Sequence, residues 1–178
     1  MSVVIAAPCQ AHMSAFREMV ADFEIHDPEN AGFYEAAKGD FQAYVQRLLD
    51  DESGLNLASG RVPCTHRWLI EGAGAVVGVT RLRHNIDTPF LRDEAGHIGY
   101  DVAPSHRGKG YGHAALRAAL DEARALGIDR VLLLADETNE PSRRTILKQG
   151  GTLEVVKYSE HWRQRVCRYW IEVQRNDG

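Results

Sequence analysis

The sequence is poor in several features that would place it in a specialised class of protein. It has three cysteines in 178 residues, Cys9, Cys64 and Cys167, an odd number at distant positions. This pattern favours reduced thiols over a disulfide framework. No apolar run approaches the length of a membrane-spanning helix, and the first residues lack the basic segment of a secretory signal. We therefore expect a cytoplasmic protein that does not contact a membrane.

The sequence also lacks a basic excess, repeats and the spacing of metal ligands. It has 21 lysines and arginines against 25 aspartates and glutamates, a formal net charge of −4, so we expect no nucleic-acid partner. Its eight histidines and three cysteines follow no metal-binding pattern, so we expect no metal. Hydrophobic residues make up 44% and charged residues 26%, which is typical of a globular protein. The length predicts a single domain, residues 1–178.

Hydrophobic periodicity predicts an α/β chain with a mixed sheet and helices packed on its faces. Two β-rich runs around Gly72 and Gly74 predict a hairpin. The polar stretch 24–40 is expected to be a loop with no more than a helical turn, and Asp40 is expected to cap the helix that follows. Helices are predicted at residues 12–23, 41–49, 110–126 and 141–149, and strands at 3–6, 66–71, 75–84, 97–103, 131–135, 152–157 and 166–173.

One segment, residues 102–112, combines the end of a strand, three closely spaced glycines and the start of a helix. Because Gly108, Gly110 and Gly112 lack Cβ atoms, a ligand can approach their backbone N–H groups at the positive end of the helix dipole. Arg107 and Lys109 add cationic side chains there. The pattern lacks the Ser/Thr of a P-loop and the glycine spacing of a dinucleotide site. It predicts a phosphate site, with a purely steric turn as the alternative.

The spacing of Arg107, Gly110 and Gly112 resembles the Arg/Gln-x-x-Gly-x-Gly/Ala signature of the GNAT acyltransferase superfamily. The resemblance continues with Asn139-x-x-Ser142 and covers roughly residues 67–171. It implies the GNAT acyl-CoA N-acyltransferase fold, a mixed, mostly antiparallel twisted sheet of six to seven strands flanked by about four helices. The glycine pair at 150–151 also follows the order and spacing of the superfamily, and the segments 97–100 (HIGY) and 168–171 (RYWI) resemble a bacterial branch of predicted acetyltransferases.

The resemblance implies a site for acetyl-CoA as co-substrate. The pyrophosphate would rest on the glycine amides, and the pantetheine arm would pair like an added strand in a gap between the strands at 97–103 and 131–135. The backbone N–H of Val102 would polarise the thioester carbonyl. For Asn139, a helix N-cap is the alternative. The residues implied to contact the cofactor are Val102, Ala103, Arg107, Gly108, Lys109, Gly110, Tyr111, Gly112, Asn139 and Ser142.

The implied reaction is direct attack of a primary amine on the thioester, which requires removal of a proton from the amine and its return to the leaving thiolate. The glutamate and the tyrosine that many relatives use fall at Gly96 and Ile146. We therefore predict His97 as a substitute base and Tyr100 as the acid. A satisfied histidine and a packing tyrosine are the alternatives. Glu137 could act through water, and transfer driven mainly by positioning is also chemically reasonable.

The acceptor is predicted to be an amine of a small molecule or peptide. Acidic residues with Phe33 and Tyr34 would suit a cationic amine, with a solvated face as the alternative, while His161 and Trp162 would close the pocket or simply pack. A homodimer is common in the superfamily. Three other functions stay open: transfer of another acyl group or to oxygen, a non-catalytic acyl-CoA-binding sensor, and NTP binding. The acidic residues are Asp22, Glu24, Asp27, Glu29, Glu35 and Asp40.

Overall fold

The computed structural model describes residues 3–72 and 74–173. The ends of the predicted domain 1–178, the first two residues considered for a secretory signal, and Ala73 in the predicted hairpin turn lie outside the described residues. The strands are β1 (Val3–Ala6), β2 (Cys64–Glu71), β3 (Ala75–Arg83), β4 (Ile98–Val102), β5 (Arg130–Asp136), β6 (Thr152–Ser159) and β7 (Gln164–Glu172). The α-helices are α1 (Met13–His26), α2 (Pro28–Ala31), α3 (Phe41–Ser53), α4 (Tyr111–Ala125) and α5 (Glu140–Lys148).

The predicted helices and strands are confirmed to within a few residues at their ends. The cap of α3 is confirmed as well, because the Asp40 carboxylate accepts a hydrogen bond of 3.0 Å from the backbone N–H of Ala43. The stretch 24–40 was expected to be mostly loop, and this is wrong. It contains the end of α1, then α2 and a 3₁₀ segment, Gly32–Lys38, because Tyr34 and Ala37 are buried in the core and packing overrides the polar composition.

The mixed sheet is confirmed in class and strand count, but its hydrogen bonding divides it in two. Strands β1, β2, β3 and β4 form one antiparallel sheet in that order, and β5, β7 and β6 form a second. Within the described residues, His97 joins the two sheets. Its backbone N–H donates to the carbonyl of Leu132 (2.8 Å), and its Nδ1 accepts from the backbone N–H of Leu132 (3.0 Å).

The helices cover both faces of the four-stranded sheet and bury its apolar side chains. On one face, α1 and α3 enclose an aromatic core in which the ring centroids of Phe16 and Trp68 are 4.5 Å apart. On the other face, α4 packs through Leu116 and Ala119 against β3, β4 and the second sheet. The segment 131–133 is completely buried, as its continuous apolar run predicts. The place where β4 meets β5 thus lies between two well-packed cores.

Candidate active site

A cavity of about 600 Å³ opens between β4 and β5. The two strands are joined at His97 and Leu132 but belong to separate sheets beyond that point. Residues that follow this junction on both strands line the cavity, among them Tyr100 on β4 and Leu134 on β5. The two strands therefore run in the same direction and separate from a common vertex. This is the gap that the resemblance implies.

The gap is bordered by main-chain groups without partners in the sheets. Hydrogen-bonded pairs alternate along an antiparallel ladder. The carbonyl of His97 accepts from the N–H of Arg83 on β3 (2.8 Å), and the N–H of Ala103 donates to Val77 on β3 (3.0 Å). By this alternation the main-chain groups of Tyr100 and Val102 point the other way, towards β5. The same alternation along β5 and β7 turns Leu134 towards β4. A chain with amide groups, such as the pantetheine arm, fits such a slot as an added strand.

The vertex explains why the usual glutamate is missing. Gly96 has φ +70°, and a Cβ at this position would lie 2.5 Å from the carbonyl oxygen of Leu132. A residue with a side chain would therefore force the two sheets apart. At the position of the usual tyrosine, the side chain of Ile146 is 1% exposed and packs in the core, where it forms part of the apolar lining of the cavity.

His97 occupies a structural position at this vertex. Its side chain is buried, and its Nδ1 is already an acceptor for Leu132. Burial, helped by the positive charge of Arg83, lowers the pKa of His97 from 6.5 to about 4. The lining of the cavity on β4 begins one residue later, at Ile98. This placement favours the alternative of a satisfied histidine, and the role of general base stays a prediction that the geometry disfavours.

The glycine loop presents open main-chain amides at the start of α4. Gly108 and Gly110 have φ of +77° and +86°, and no atom lies within 4 Å of a Cβ built at either position. In the described part of the chain, no acceptor pairs with the backbone N–H groups of Gly108, Gly110 or Gly112. These donors lie at the N-terminus of α4, which favours phosphate oxygens. The loop therefore fits the predicted pyrophosphate contact.

The two cations of the loop have different surroundings. Lys109 is exposed, and no acidic side chain among residues 3–72 and 74–173 pairs with it. The guanidinium of Arg107 instead forms an ion pair with Asp27, lies over the ring of Phe23, and donates from Nε to the carbonyl of Val102 (3.2 Å). Lys109 is thus free to meet a phosphate, whereas Arg107 anchors the loop to α1 and α2.

Two further predicted cofactor residues have little to offer a ligand. The side chain of Tyr111 is 2% exposed and packs between α4 and the four-stranded sheet, so only its main chain can reach the loop surface. Ala103 is buried, its N–H donates to Val77 (3.0 Å), and its carbonyl accepts from His106 (2.8 Å). Both residues shape the turn rather than present groups into the gap.

The predicted acidic wall for a cationic acceptor is corrected by the contacts of its members. Asp22 accepts hydrogen bonds from the backbone N–H (2.9 Å) and Oγ (2.6 Å) of Ser105. These bonds lower the pKa of Asp22 although burial opposes them. Glu24 and Glu35 both pair with Lys38, at 2.8 and 2.7 Å. Asp27 pairs with Arg107, and Asp40 caps α3. These acids therefore bind groups of the protein itself.

Three predicted residues do meet at the wall of the cavity. The hydroxyls of Tyr100 and Ser142 are 3.0 Å apart, and Asn139 accepts a hydrogen bond of 3.1 Å from the backbone N–H of Ser142 as the N-cap of α5. Burial raises the pKa of Tyr100 above its usual value of 10.0, although hydrogen bonds with Ser142 and Thr145 act in the opposite direction. The Tyr100 phenol is therefore a protonated donor at neutral pH.

The opposite wall contains a charged group that the sequence pattern did not reveal. The carboxylate of Asp101 accepts from the hydroxyl of Tyr34 (2.6 Å) and pairs with Arg81 (2.5 Å). Burial and the Asp101 charge raise the pKa of Tyr34 far above its usual value, and Asp101 raises that of Arg81 against the effect of burial. The available signal was the alternation of Arg81 and Arg83 along a strand, which places both on one face.

A histidine and a carboxylate extend this wall. Nε2 of His66 lies 3.1 Å from Asp51, which also approaches Arg47 (3.5 Å) and Arg61 (3.9 Å). Burial lowers the pKa of His66 despite the nearby carboxylate, so the imidazole is neutral at pH 7. At the rim, Trp162 lines the cavity and donates from Nε1 to the carbonyl of Glu94 (2.7 Å). This contact fits the predicted closing role of Trp162.

The three cysteines are free. Within residues 3–72 and 74–173, no group of three or more histidines, cysteines, aspartates or glutamates is arranged to hold a metal ion. In the same residues, no helix combines the length and apolarity needed to cross a bilayer.

Comparison with known proteins identifies the family. The microcin C7 self-immunity acetyltransferase MccE, solved with acetyl-CoA and AMP, has 15% identity and a TM-score of 0.72, with 96% of this chain and 92% of that chain covered. RimL, a ribosomal L7/L12 α-N-protein acetyltransferase solved with coenzyme A, has 16% identity and a TM-score of 0.71, with 97% and 95% covered.

A chimera of the spermidine N-acetyltransferase SpeG from Vibrio cholerae and hSSAT has 16% identity and a TM-score of 0.66, with 97% of this chain and 96% of that chain covered. At these identities the likeness establishes the fold. A comparison with curated protein sequences finds no match. The model of the acetyltransferase (GNAT) family matches residues 23–150, well over half of the chain. The chain therefore belongs to the GNAT acetyltransferase family, whose members use acetyl-CoA as the acyl donor.

Proposed function

We propose that the protein transfers an acetyl group from acetyl-CoA to a primary amine of a small molecule or peptide, by direct attack in a ternary complex. The observation that carries the proposal is the cavity of about 600 Å³ between β4 and β5 together with the open glycine amides that follow β4. The two are close, since a Cβ at Gly112 would lie 3.6 Å from the ring of Tyr100, which lines the cavity. RimL is named for an L7/L12 α-N-protein acceptor and SpeG for spermidine, which supports an amine as the acceptor.

The binding roles follow from the main-chain and cationic groups that border the gap. The amides of Gly108, Gly110 and Gly112, with Lys109, would hold the pyrophosphate. The main-chain groups of β4 and β5 would pair with the pantetheine amides. The N–H of Val102, which points into the gap, would stabilise negative charge on the thioester carbonyl oxygen. This role of Val102 uses only the main chain, so it does not depend on the glutamate and tyrosine that are missing at the usual positions.

Two side chains would handle the protons of the reaction. A C–N bond forms while the C–S bond breaks, so the amine loses one proton and the leaving sulfur gains one. Tyr100, protonated and held by Ser142 at the cavity wall, would supply the proton to sulfur. His66, neutral and held by Asp51, is available to receive the proton of the amine through water. His97 is not the base in this proposal, because it is buried and its Nδ1 already accepts from Leu132.

The experiment measures acetyl-CoA binding by calorimetry and thiol release with polyamines, amino acids, aminoglycosides and peptide N-termini. We expect tight acetyl-CoA binding, no comparable binding of ATP, and turnover with at least one amine. Tyr100→Phe should lower kcat by about 100-fold, because acid catalysis typically contributes at least that factor, while acetyl-CoA affinity stays within about threefold. The matched control is Tyr158→Phe, since Tyr158 is exposed on β6.

Several outcomes would contradict the proposal. Tight acetyl-CoA binding without turnover for any acceptor would favour the non-catalytic sensor, and ATP binding would favour an NTP-binding protein. Turnover with a different acyl donor or an oxygen acceptor would select the remaining alternative. Unchanged kcat in Tyr100→Phe would remove the acid role of this phenol and leave transfer by positioning.

The setting of the enzyme is also part of this proposal. The use of cysteine supports the cytoplasm, where thiols stay reduced, and the three free cysteines agree with it. We further propose one domain over residues 1–178 and a homodimer as the form to test by light scattering.

A further inference from the structure

The cavity wall contains a cation that has no counter-charge among the described residues. Arg83 lies on β3 next to Cys64 of β2 in the sheet register, and its side chain lines the cavity. Its Nη1 donates to the carbonyl of Gly96 (3.1 Å). In the described part of the chain, no carboxylate forms an ion pair with it, and burial lowers its pKa. A guanidinium has five N–H donors, and a hydrogen-bond acceptor within residues 3–72 and 74–173 is found for only one of the two Nη groups of Arg83, the one that donates to Gly96.

The neighbouring charges do not compensate Arg83. Arg81 is neutralised by Asp101, and Arg47 and Arg61 share the single carboxylate of Asp51. On this wall four guanidinium groups thus meet two carboxylates.

The two other carboxylates that line the cavity lie on other elements, and among the described residues neither forms an ion pair with an arginine. Glu94 accepts a hydrogen bond from Ser159, and Asp136 accepts from the N–H (2.8 Å) and hydroxyl (2.9 Å) of Thr138. Both acids keep their negative charge, but Glu94 precedes β4 and Asp136 ends β5, so the surplus of positive charge is confined to the wall around β3.

We infer that the acceptor amine carries an oxyanion, a carboxylate or a phosphonate, and that Arg83 binds it. The inference rests on the proposed function and narrows its substrate class. A buried cation is costly unless it is paired, and the planar guanidinium fork matches an oxyanion with two parallel hydrogen bonds. A polyamine would instead bring further positive charge to this wall and be repelled. The acidic wall expected from the sequence pointed to the opposite charge preference.

The test compares amines in matched pairs with and without the oxyanion, by thiol release with saturating acetyl-CoA. The pairs are 4-aminobutanoate with butylamine, 6-aminohexanoate with hexylamine, 3-aminopropylphosphonate with propylamine, and phenylalanine with phenethylamine. Putrescine is the cationic arm. Several chain lengths are needed because Arg83 lies opposite the start of β4, whereas Val102 is at its end.

We expect at least one oxyanion-bearing member to exceed its partner about tenfold or more in kcat/KM. Arg83→Gln should abolish that preference by lowering kcat/KM about 10- to 100-fold for the anionic member and less than threefold for the alkylamine. Arg83→Lys should keep part of it, because the charge remains while the fork is lost. The control is Arg117→Gln, an exposed arginine on α4 outside the cavity. Thermal unfolding and acetyl-CoA binding establish that each variant is folded.

Equal use of both members of every pair would overturn the inference, as would an equal loss for both in Arg83→Gln. Turnover of putrescine above all anionic acceptors would overturn it too, while leaving the proposed function intact. If acetyl-CoA binds and no acceptor reacts, the proposed function fails. The inference is then decided by calorimetry of N-acetyl-6-aminohexanoate and its phosphonate analogue with the CoA complex. Binding that Arg83→Gln removes supports an oxyanion site, and absence of binding overturns it.

Discussion

The glycine loop and the cavity wall that contains Tyr34 and Asp101 obtain their functional groups in different ways. In the loop, Gly108, Gly110 and Gly112 present their amides because of their own backbone conformations, within five consecutive residues. In the wall, Tyr34 and Asp101 meet across 67 residues of sequence. A ligand site made of main-chain groups in one turn is therefore visible in the sequence. A site made of side chains from distant strands and helices depends on how the sheets and helices pack.

The vertex between the two sheets shares the long-range character of the wall. It is formed where Gly96 and His97 meet Leu132, more than 30 residues away. Substitutions there should cost folding stability, whereas substitutions in the loop should mainly cost ligand affinity. Three variants test this comparison.

The largest effect is expected for Gly96→Glu, which places the glutamate of many relatives in this chain. Because φ is +70° and a Cβ would lie 2.5 Å from the Leu132 carbonyl, we expect a loss of about 4 kcal/mol or more in the free energy of unfolding. Urea unfolding measures it. The control Gly32→Ala, with open space around the added Cβ, should change stability by less than about 0.5 kcal/mol. A stable and more active Gly96→Glu enzyme would contradict the claim that a side chain at position 96 forces the two sheets apart.

His97→Ala is expected to have an intermediate effect that depends on pH. It removes the acceptor for the Leu132 N–H and should cost about 2 kcal/mol at pH 7. The pKa of His97 is about 4 in the folded protein against 6.5 unfolded, so protonation favours the unfolded state. Wild-type stability should therefore fall by about 3 kcal/mol as pH drops from 6.5 to 4 because of this group.

The variant should lack that part of the decline, as measured by urea unfolding across this pH range, with His161→Ala as the exposed control. The pH–rate profile decides whether His97 only links the two sheets or also acts as the general base. If His97 only joins the sheets, the profile keeps its shape above pH 6.5. A loss of one limb of the profile would restore the base role predicted from the sequence.

The smallest effect on stability is expected for Gly110→Ala, in the loop. The positive φ of +86° costs about 1–2 kcal/mol for a residue with a Cβ. The shifted amides should weaken acetyl-CoA binding about tenfold or more, because hydrogen bonds from backbone amides to a charged phosphate are strong. Gly127→Ala is the matched control, with φ +70° and open space at the other end of α4. It should lose similar stability and keep its affinity, and an equal affinity loss in both variants would contradict the loop's role.

Much of the fold was predictable because its signals are local. Apolar residues repeat with helical spacing in α1 and α3, and Asp40 marks the start of α3. The segment 24–40 was not predictable in the same way. Its composition is polar, and its helical turns exist because Tyr34 packs against Phe16 and Phe23 from another helix.

The site divides along the same line. The sequence predicted Tyr100 and Ser142 separately, as two residues near one cofactor. Only the fold shows that their hydroxyls are 3.0 Å apart. The base role of His97 stays a prediction, and the geometry disfavours it for a physical reason. A histidine beside a vacated position is a reasonable base until burial and a hydrogen bond to Leu132 remove its basicity.

The sequence by itself determined the family, the glycine loop and the order of helices and strands, because these depend on residue types at short, fixed spacings. Only the tertiary structure decided which charges face the cavity. The acids between the first two helices turn to Ser105, Arg107 and Lys38, while Arg83 lines the cavity without a carboxylate partner among the described residues. Charge pairing is a property of distance in space, and residues far apart in the chain acquire their distances only when the sheets close on each other.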